Sequence, residues 1–127
     1  MKTPNLNTIQ QNGEYGNLCI ATGKAIFEGD GGGTAGAVLK LPAMTRITGF
    51  RMVNDALGAS TTVTVNAVGD TGSTPILAAT ATDSAGNALY TGKSLLLPEP
   101  TELQLTLAGG SATGEVECIV EYVYVGA

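Results

Sequence analysis

An antiparallel β-sandwich of two sheets is the fold class this sequence predicts, and three observations predict it. Short runs of β-forming residues recur roughly every 8 to 15 residues from Leu18 onward, separated by Gly, Pro, Asn and Asp. No apolar period of ~3.6 residues is sustained long enough for a helix. Where alternation is cleanest, Leu103, Leu105 and Leu107 share one face while Glu102, Gln104 and Thr106 share the other, the pattern of a strand with one wet side. Strands that follow one another without helices favour an antiparallel sandwich over a parallel α/β sheet.

In chain order, residues 1–17 read as a polar N-terminal arm. They are rich in Asn and Gln, and beyond Met1 their substantial apolar side chains are Leu6, Ile9 and Tyr15, too few for a core. Such a segment is either a frayed terminus or a tether that orders against a partner. Residues 18–127 read as one β-sandwich domain. Its predicted strands are Leu18–Phe27, Ala37–Leu41, Arg46–Val53, Thr61–Val68, Ile76–Thr82, Ala88–Leu97, Glu102–Leu107 and Glu115–Val125.

The breaks carry turn chemistry. Glu28 to Gly33 reads as a glycine-rich loop, and Asn54–Gly58, Gly69–Ser73, Asp83–Asn87 and Ala108–Ser111 read as connections. Pro98 and Pro100 separate two strand runs. In the last strand Val116, Cys118, Val120, Tyr122 and Tyr124 face one way. The opposite face begins with Glu115 and Glu117 and ends with Val123 and Val125, so its last turns are expected to be covered on both sides, by the domain or by another subunit. About eight strands suit a jelly roll. An immunoglobulin-like sandwich is the competitor, but there is no Trp, and Cys19 and Cys118 stand at opposite ends of the chain.

With 127 residues the chain has room for one domain that buries its own core, and 43 % apolar residues is ordinary. The 13 % charged share is about half the usual one, which suits a surface that is partly covered in the working state. The net charge of −5 and the scatter of Lys2, Lys24, Lys40, Arg46, Arg51 and Lys93 argue against nucleic acid as a partner. No apolar run is long enough for a membrane helix, and the polar start does not resemble a signal peptide, so synthesis in the cytoplasm is expected. The two cysteines share no metal-ligand spacing and read as buried small hydrophobes, although pairing of the first and last strands would leave a disulfide open to them.

Catalysis finds little support. The chain has no histidine, and so lacks the commonest general base and transition-metal ligand. Asp70-Thr71-Gly72-Ser73 matches the loop signature of aspartic proteases, but Gly69 stands where that family has a hydrophobic residue, and a turn is the better reading. Gly29–Gly36 lacks the Gly-Lys-Ser/Thr ending of a phosphate loop. The loop aspartates show no calcium spacing. No enzyme activity, cofactor or metal is expected.

Leu41-Pro42-Ala43-Met44-Thr45-Arg46-Ile47-Thr48-Gly49-Phe50, then Asp55-Ala56-Leu57-Gly58-Ala59-Ser60-Thr61-Thr62-Val63-Thr64-Val65, then Leu103–Leu107 with Gly109-Gly110 and Gly114-Glu115-Val116, form an ordered series. Over roughly Ala37 to Val125 this series resembles small structural proteins of tailed-bacteriophage virions. The resemblance implies a jelly-roll capsid decoration, or cement, protein on the capsid surface. Such a protein adds as a homodimer or homotrimer to an assembled head and clamps neighbouring major-capsid subunits. A tail or head-fibre component of the same fold is the alternative within that class. A carbohydrate- or surface-binding sandwich is the alternative outside it, disfavoured by few aromatics for stacking. The expected partner-contact residues are Leu6, Ile9 and Tyr15 of the arm and Tyr122, Val123, Tyr124 and Val125 at the end of the last strand.

Overall fold

The computed structural model describes residues 1–3 and 18–125 of the chain. These residues form nine strands and no helix: β1 (Leu18–Asp30), β2 (Ala35–Leu41), β3 (Thr45–Asn54), β4 (Thr62–Gly69), β5 (Gly72–Ala81), β6 (Gly86–Leu89), β7 (Leu95–Leu97), β8 (Thr101–Ala108) and β9 (Ala112–Tyr124). One sheet has the order β1-β9-β3-β6, with β7 also on β3, and the other has β2-β8-β4-β5. All pairings are antiparallel. Counting β6 and β7 as one interrupted strand, this is the double Greek-key path of an eight-stranded jelly roll.

The core follows from the alternation. Leu103, Leu105 and Leu107 on β8, Val63 and Val65 on β4, and Val116, Cys118, Val120 and Tyr122 on β9 are all fully buried between the sheets. Each such aliphatic side chain contributes about 1.5–3 kcal/mol of transfer free energy. Polar groups that are buried with them are satisfied: Thr82 donates its hydroxyl to Thr61 Oγ1 at 2.9 Å, and Asn54 Nδ2 donates to Ser84 O at 2.9 Å. Among the described residues no buried side-chain polar atom lacks a partner.

Two sequence expectations are corrected here. The predicted strand Ala88–Leu97 is two strands, because β6 pairs with Arg51–Asn54 at one end of β3 and β7 with Thr45–Ile47 at the other. Between them the chain turns at Tyr90–Ser94, where the Tyr90 hydroxyl donates to Lys93 O at 2.6 Å. The glycine-rich loop is also shorter than expected, since Glu28-Gly29-Asp30 belongs to β1 and pairs through Asp30 with Ala112. Asp70-Thr71 is a two-residue turn between β4 and β5, with Thr71 donating its hydroxyl to Glu99 at 2.6 Å.

At Gly23, on β1, the backbone packs directly against β2 of the other sheet. A Cβ on this buried residue would overlap the Val38 carbonyl oxygen and stand 2.9 Å from Leu39 Cγ. At one end of the sandwich the loops meet backbone to backbone. Gly109, at φ 90°, lies against Ser60 O, while Leu57 N–H donates to Thr82 O at 2.8 Å and Thr113 N–H donates to Leu57 O at 2.9 Å.

Pairing of β1 with β9 does not bring the cysteines together. Cys19 stands opposite Tyr122, whereas Cys118 stands opposite Gly23, four residues along β1. At about 3.4 Å per residue that offset exceeds any disulfide span. Burial first, then the neighbouring Glu117 carboxylate, pushes the Cys118 thiol from 9.0 up to about 12. Because the folded value is raised, the stability this thiol contributes is whole below pH 9 and is lost as pH rises toward 12. Heat denaturation at pH 8 to 11 is expected to show a loss approaching about 1.4 kcal/mol per pH unit from this group, absent in Cys118→Ala. A maleimide at pH 8 should modify Cys118 only after unfolding.

Candidate interaction surface

The two outer faces of the sandwich differ in chemistry. On the four-stranded sheet, register places Thr64 beside Thr106 and Asn66 beside Gln104, so this face is small and polar. On the five-stranded sheet the outward rows are read directly from the ladder. Leu18, Val123, Arg46 and Leu96 form one row, and Thr22, Ile119, Arg51 and Leu89 form another. Between them Ile20 pairs with Glu121, which pairs with Gly49.

Leu18, Ile20 and Leu89 are each about 60 % exposed, and Val53 and Leu96 each 37 %. Isolated apolar residues on a surface are ordinary, but here several fall on the outer face of one sheet, with the half-buried Val123 and Ile119 between its edges, which marks a candidate interaction surface. A groove of about 470 Å³ runs through the patch, with Ile20, Ile119, Leu89 and Tyr90 as its apolar walls and Arg51 and Glu121 at its charged margins.

A β-bulge shapes the groove. Register shifts between Ile47 and Gly49, and the Thr48 hydroxyl donates to Glu121 O at 3.2 Å. Gly49 lacks the side chain that would stand 2.6 Å from Glu121 Oε1, so the carboxylate lies flat over β3. The bulge also returns Phe50 to the core while sending Arg51 outward.

The carboxyl-terminal contact residues divide. Tyr122 is fully buried between the sheets, where burial pushes its phenol up from the ordinary value. Its ring therefore belongs to the core and is withdrawn from the contact set as the fold stands. Val123 and Tyr124 are half-buried and Val125 is 42 % exposed, so the described residues cover this strand end only in part. Leu6, Ile9 and Tyr15 lie outside the described residues. The start of the chain is tied to β1: Lys2 and Ile26 exchange backbone hydrogen bonds of 2.8 and 2.7 Å, and the Met1 amine lies 3.1 Å from Asp30 Oδ1. The Glu28 N–H and then this amine hold the Asp30 carboxyl below its ordinary value.

Sequence reasoning did not find the apolar patch. Ile20, Ile119, Leu89 and Leu96 come from four strands, and only the strand order places them together. Among the described residues there is no cluster of three or more metal-ligating side chains. Among the described residues no helix is long and apolar enough to cross a membrane.

No protein-family model and no curated protein matches this chain. Solved structures do. The chain is similar to a chain in the capsid of Ralstonia phage GP4, at 14 % identity and TM-score 0.68, covering 94 % of this chain and 92 % of that one. It is similar to a chain of the cyanophage Pam1 capsid asymmetric unit, at 25 % identity and TM-score 0.69, with 91 % of each covered. A third likeness is to the capsid of Helicobacter pylori bacteriophage KHP30, at 13 % identity and TM-score 0.64, covering 88 % and 91 %.

Proposed function

We propose that this chain is a structural protein of a phage virion, a decoration protein that binds the outside of an assembled head and stabilises it. The supporting observation is reciprocal coverage. In the three phage capsids the likeness takes in 91 to 92 % of the matched chain, so the whole sandwich, and not a fragment of a larger shell subunit, is what corresponds. A free-standing sandwich of this size with a low charge share suits a component that is added to a shell.

Synthesis in the host cytoplasm precedes docking in this reading. The partner is the major capsid protein of the same virion, and Leu6, Ile9 and Tyr15 of the arm make the shell contacts. Val123, Tyr124 and Val125 serve contacts between copies. Each copy buries on the order of 800 Å² against its partners. Because it recognises the lattice and not the isolated subunit, binding stabilises the assembled shell by mass action.

The test is co-sedimentation of the purified protein with heads that lack it, followed by heating of the loaded heads. Saturable binding to heads, none to unassembled capsid subunits, and a raised temperature of DNA release are expected. No binding to heads, or equal binding to free subunits, overturns the reading. Deletion of residues 2–14 is expected to leave a folded sandwich by circular dichroism that no longer sediments with heads. Undiminished binding by that variant removes the arm from the mechanism.

A further inference from the structure

We infer that the outer edge of β1 carries a site built for a charged amino terminus, so that Met1 straps β1 to β2 only while its amine is unblocked. The inference does not depend on the functional reading. It is tested on purified protein without heads, so either can fail alone.

Ladder geometry carries the argument. Lys2 N–H donates to Ile26 O at 2.8 Å and Ile26 N–H donates to Lys2 O at 2.7 Å, so Ile26 turns its hydrogen-bonding groups toward the start of the chain. In an antiparallel ladder the next such position on β1 is two residues on, at Glu28. There the N–H would donate to the carbonyl of a residue ahead of Met1. Instead it donates to Asp30 Oδ2 at 3.1 Å. A bulge makes this possible: register shifts between Glu28 and Asp30, with Gly29 at φ 81°, and the aspartate side chain is re-aimed at its own strand edge. The carboxylate thus closes the ladder where a further residue would continue it. Its other oxygen, Oδ1, accepts from the Met1 amine at 3.1 Å.

The rest of Met1 fits the same site. Its side chain is 6 % exposed and packs against the core, and its Cε lies over Gly36 of β2, where any Cβ would overlap it. Lys2 Nζ meets Glu28 Oε1 at 2.8 Å on the exposed side, where an ion pair adds little. The site therefore reads a positive charge and a long apolar first side chain together. Hydrogen bonds from an ammonium to a carboxylate are charge-assisted and about twice as strong as neutral ones.

An N-formyl group is the discriminating modification. It removes the charge and adds a carbonyl at the ladder position that Asp30 Oδ2 fills. That carbonyl and the carboxylate compete for one donor, the Glu28 N–H. Either the carbonyl goes without it, or the half-buried Asp30 loses both of these donors. Hydrolytic removal of any acyl group must therefore precede docking of Met1.

The test compares N-formyl and free-amine chains, each as wild type and as Asp30→Asn, with intact mass fixing the state of every terminus. In the wild type, formylation is expected to lower Tm by about 3–8 °C and to speed amide exchange at Ile26 by about tenfold or more. In Asp30→Asn, which has no carboxylate charge to strand, formylation is expected to shift Tm by less than about 1 °C. A wild type indifferent to formylation overturns the inference, and so does an equal loss in both backgrounds, which would be a generic effect of the added group. Naturally produced protein that lacks Met1, or carries a residue ahead of it, overturns it as well.

Discussion

Replacing Gly23 with alanine is expected to destabilise the protein by on the order of 3 kcal/mol, lowering Tm by roughly 10 °C or more. Alanine adds one methyl group, and in most strands it improves on glycine. At this position the methyl group would occupy the Val38 carbonyl oxygen and crowd Leu39 Cγ, both on β2. The obstruction is backbone, so no rotamer change relieves it, and β1 and β2 must move apart where the interior is dry. Gly86→Ala is the control, because its added methyl group meets nothing within 4 Å and should be near neutral. Thermal denaturation of the two variants checks the difference. Equal melting temperatures would mean that the sheets are not in contact at Gly23.

Tyr122→Ala should lose about 3–5 kcal/mol in denaturant unfolding, whereas Val125→Ala should stay within about 0.5 kcal/mol. The reason is location. Tyr122 is among the largest fully buried side chains, and truncating it leaves a cavity between sheets that cannot collapse. Val125 is 42 % exposed at the strand end. The two substitutions thus separate core from contact among residues that the sequence groups together. A stable Tyr122→Ala variant would show that this ring is not part of the core.

Much of the fold was legible because alternation is local. Leu103, Leu105 and Leu107 announce their strand and its buried face, and every one of them is in the core. The division of Ala88–Leu97 was not legible, since it depends on β3, which carries a bulge and offers two separate pairing stretches. Gly92 beside Lys93 was the available signal for a turn there, and the three leucines that follow obscured it. The interaction surface was less legible still. In isolation Ile20, Leu89 and Ile119 each look like ordinary strand residues, and only non-local pairing collects them. Tyr122 and Val123 carried the opposite lesson: period two put them on different faces, and the covered face was the tyrosine's.

The pairing of β1 with β9 and of β2 with β8 is nested, outermost with outermost, and the first strand finds its ladder partner only at Ala112–Val123. Such distant closures are slow, and a chain built from them folds in milliseconds to seconds after it is complete. At ribosomal rates of about 5–20 residues per second, β1 spends on the order of 5–20 seconds as an exposed apolar strand before its partner has been made. Arrival of folded protein at any assembly site is therefore timed by release of the whole chain. Truncated products that stop short of β9 should aggregate and not compete with it.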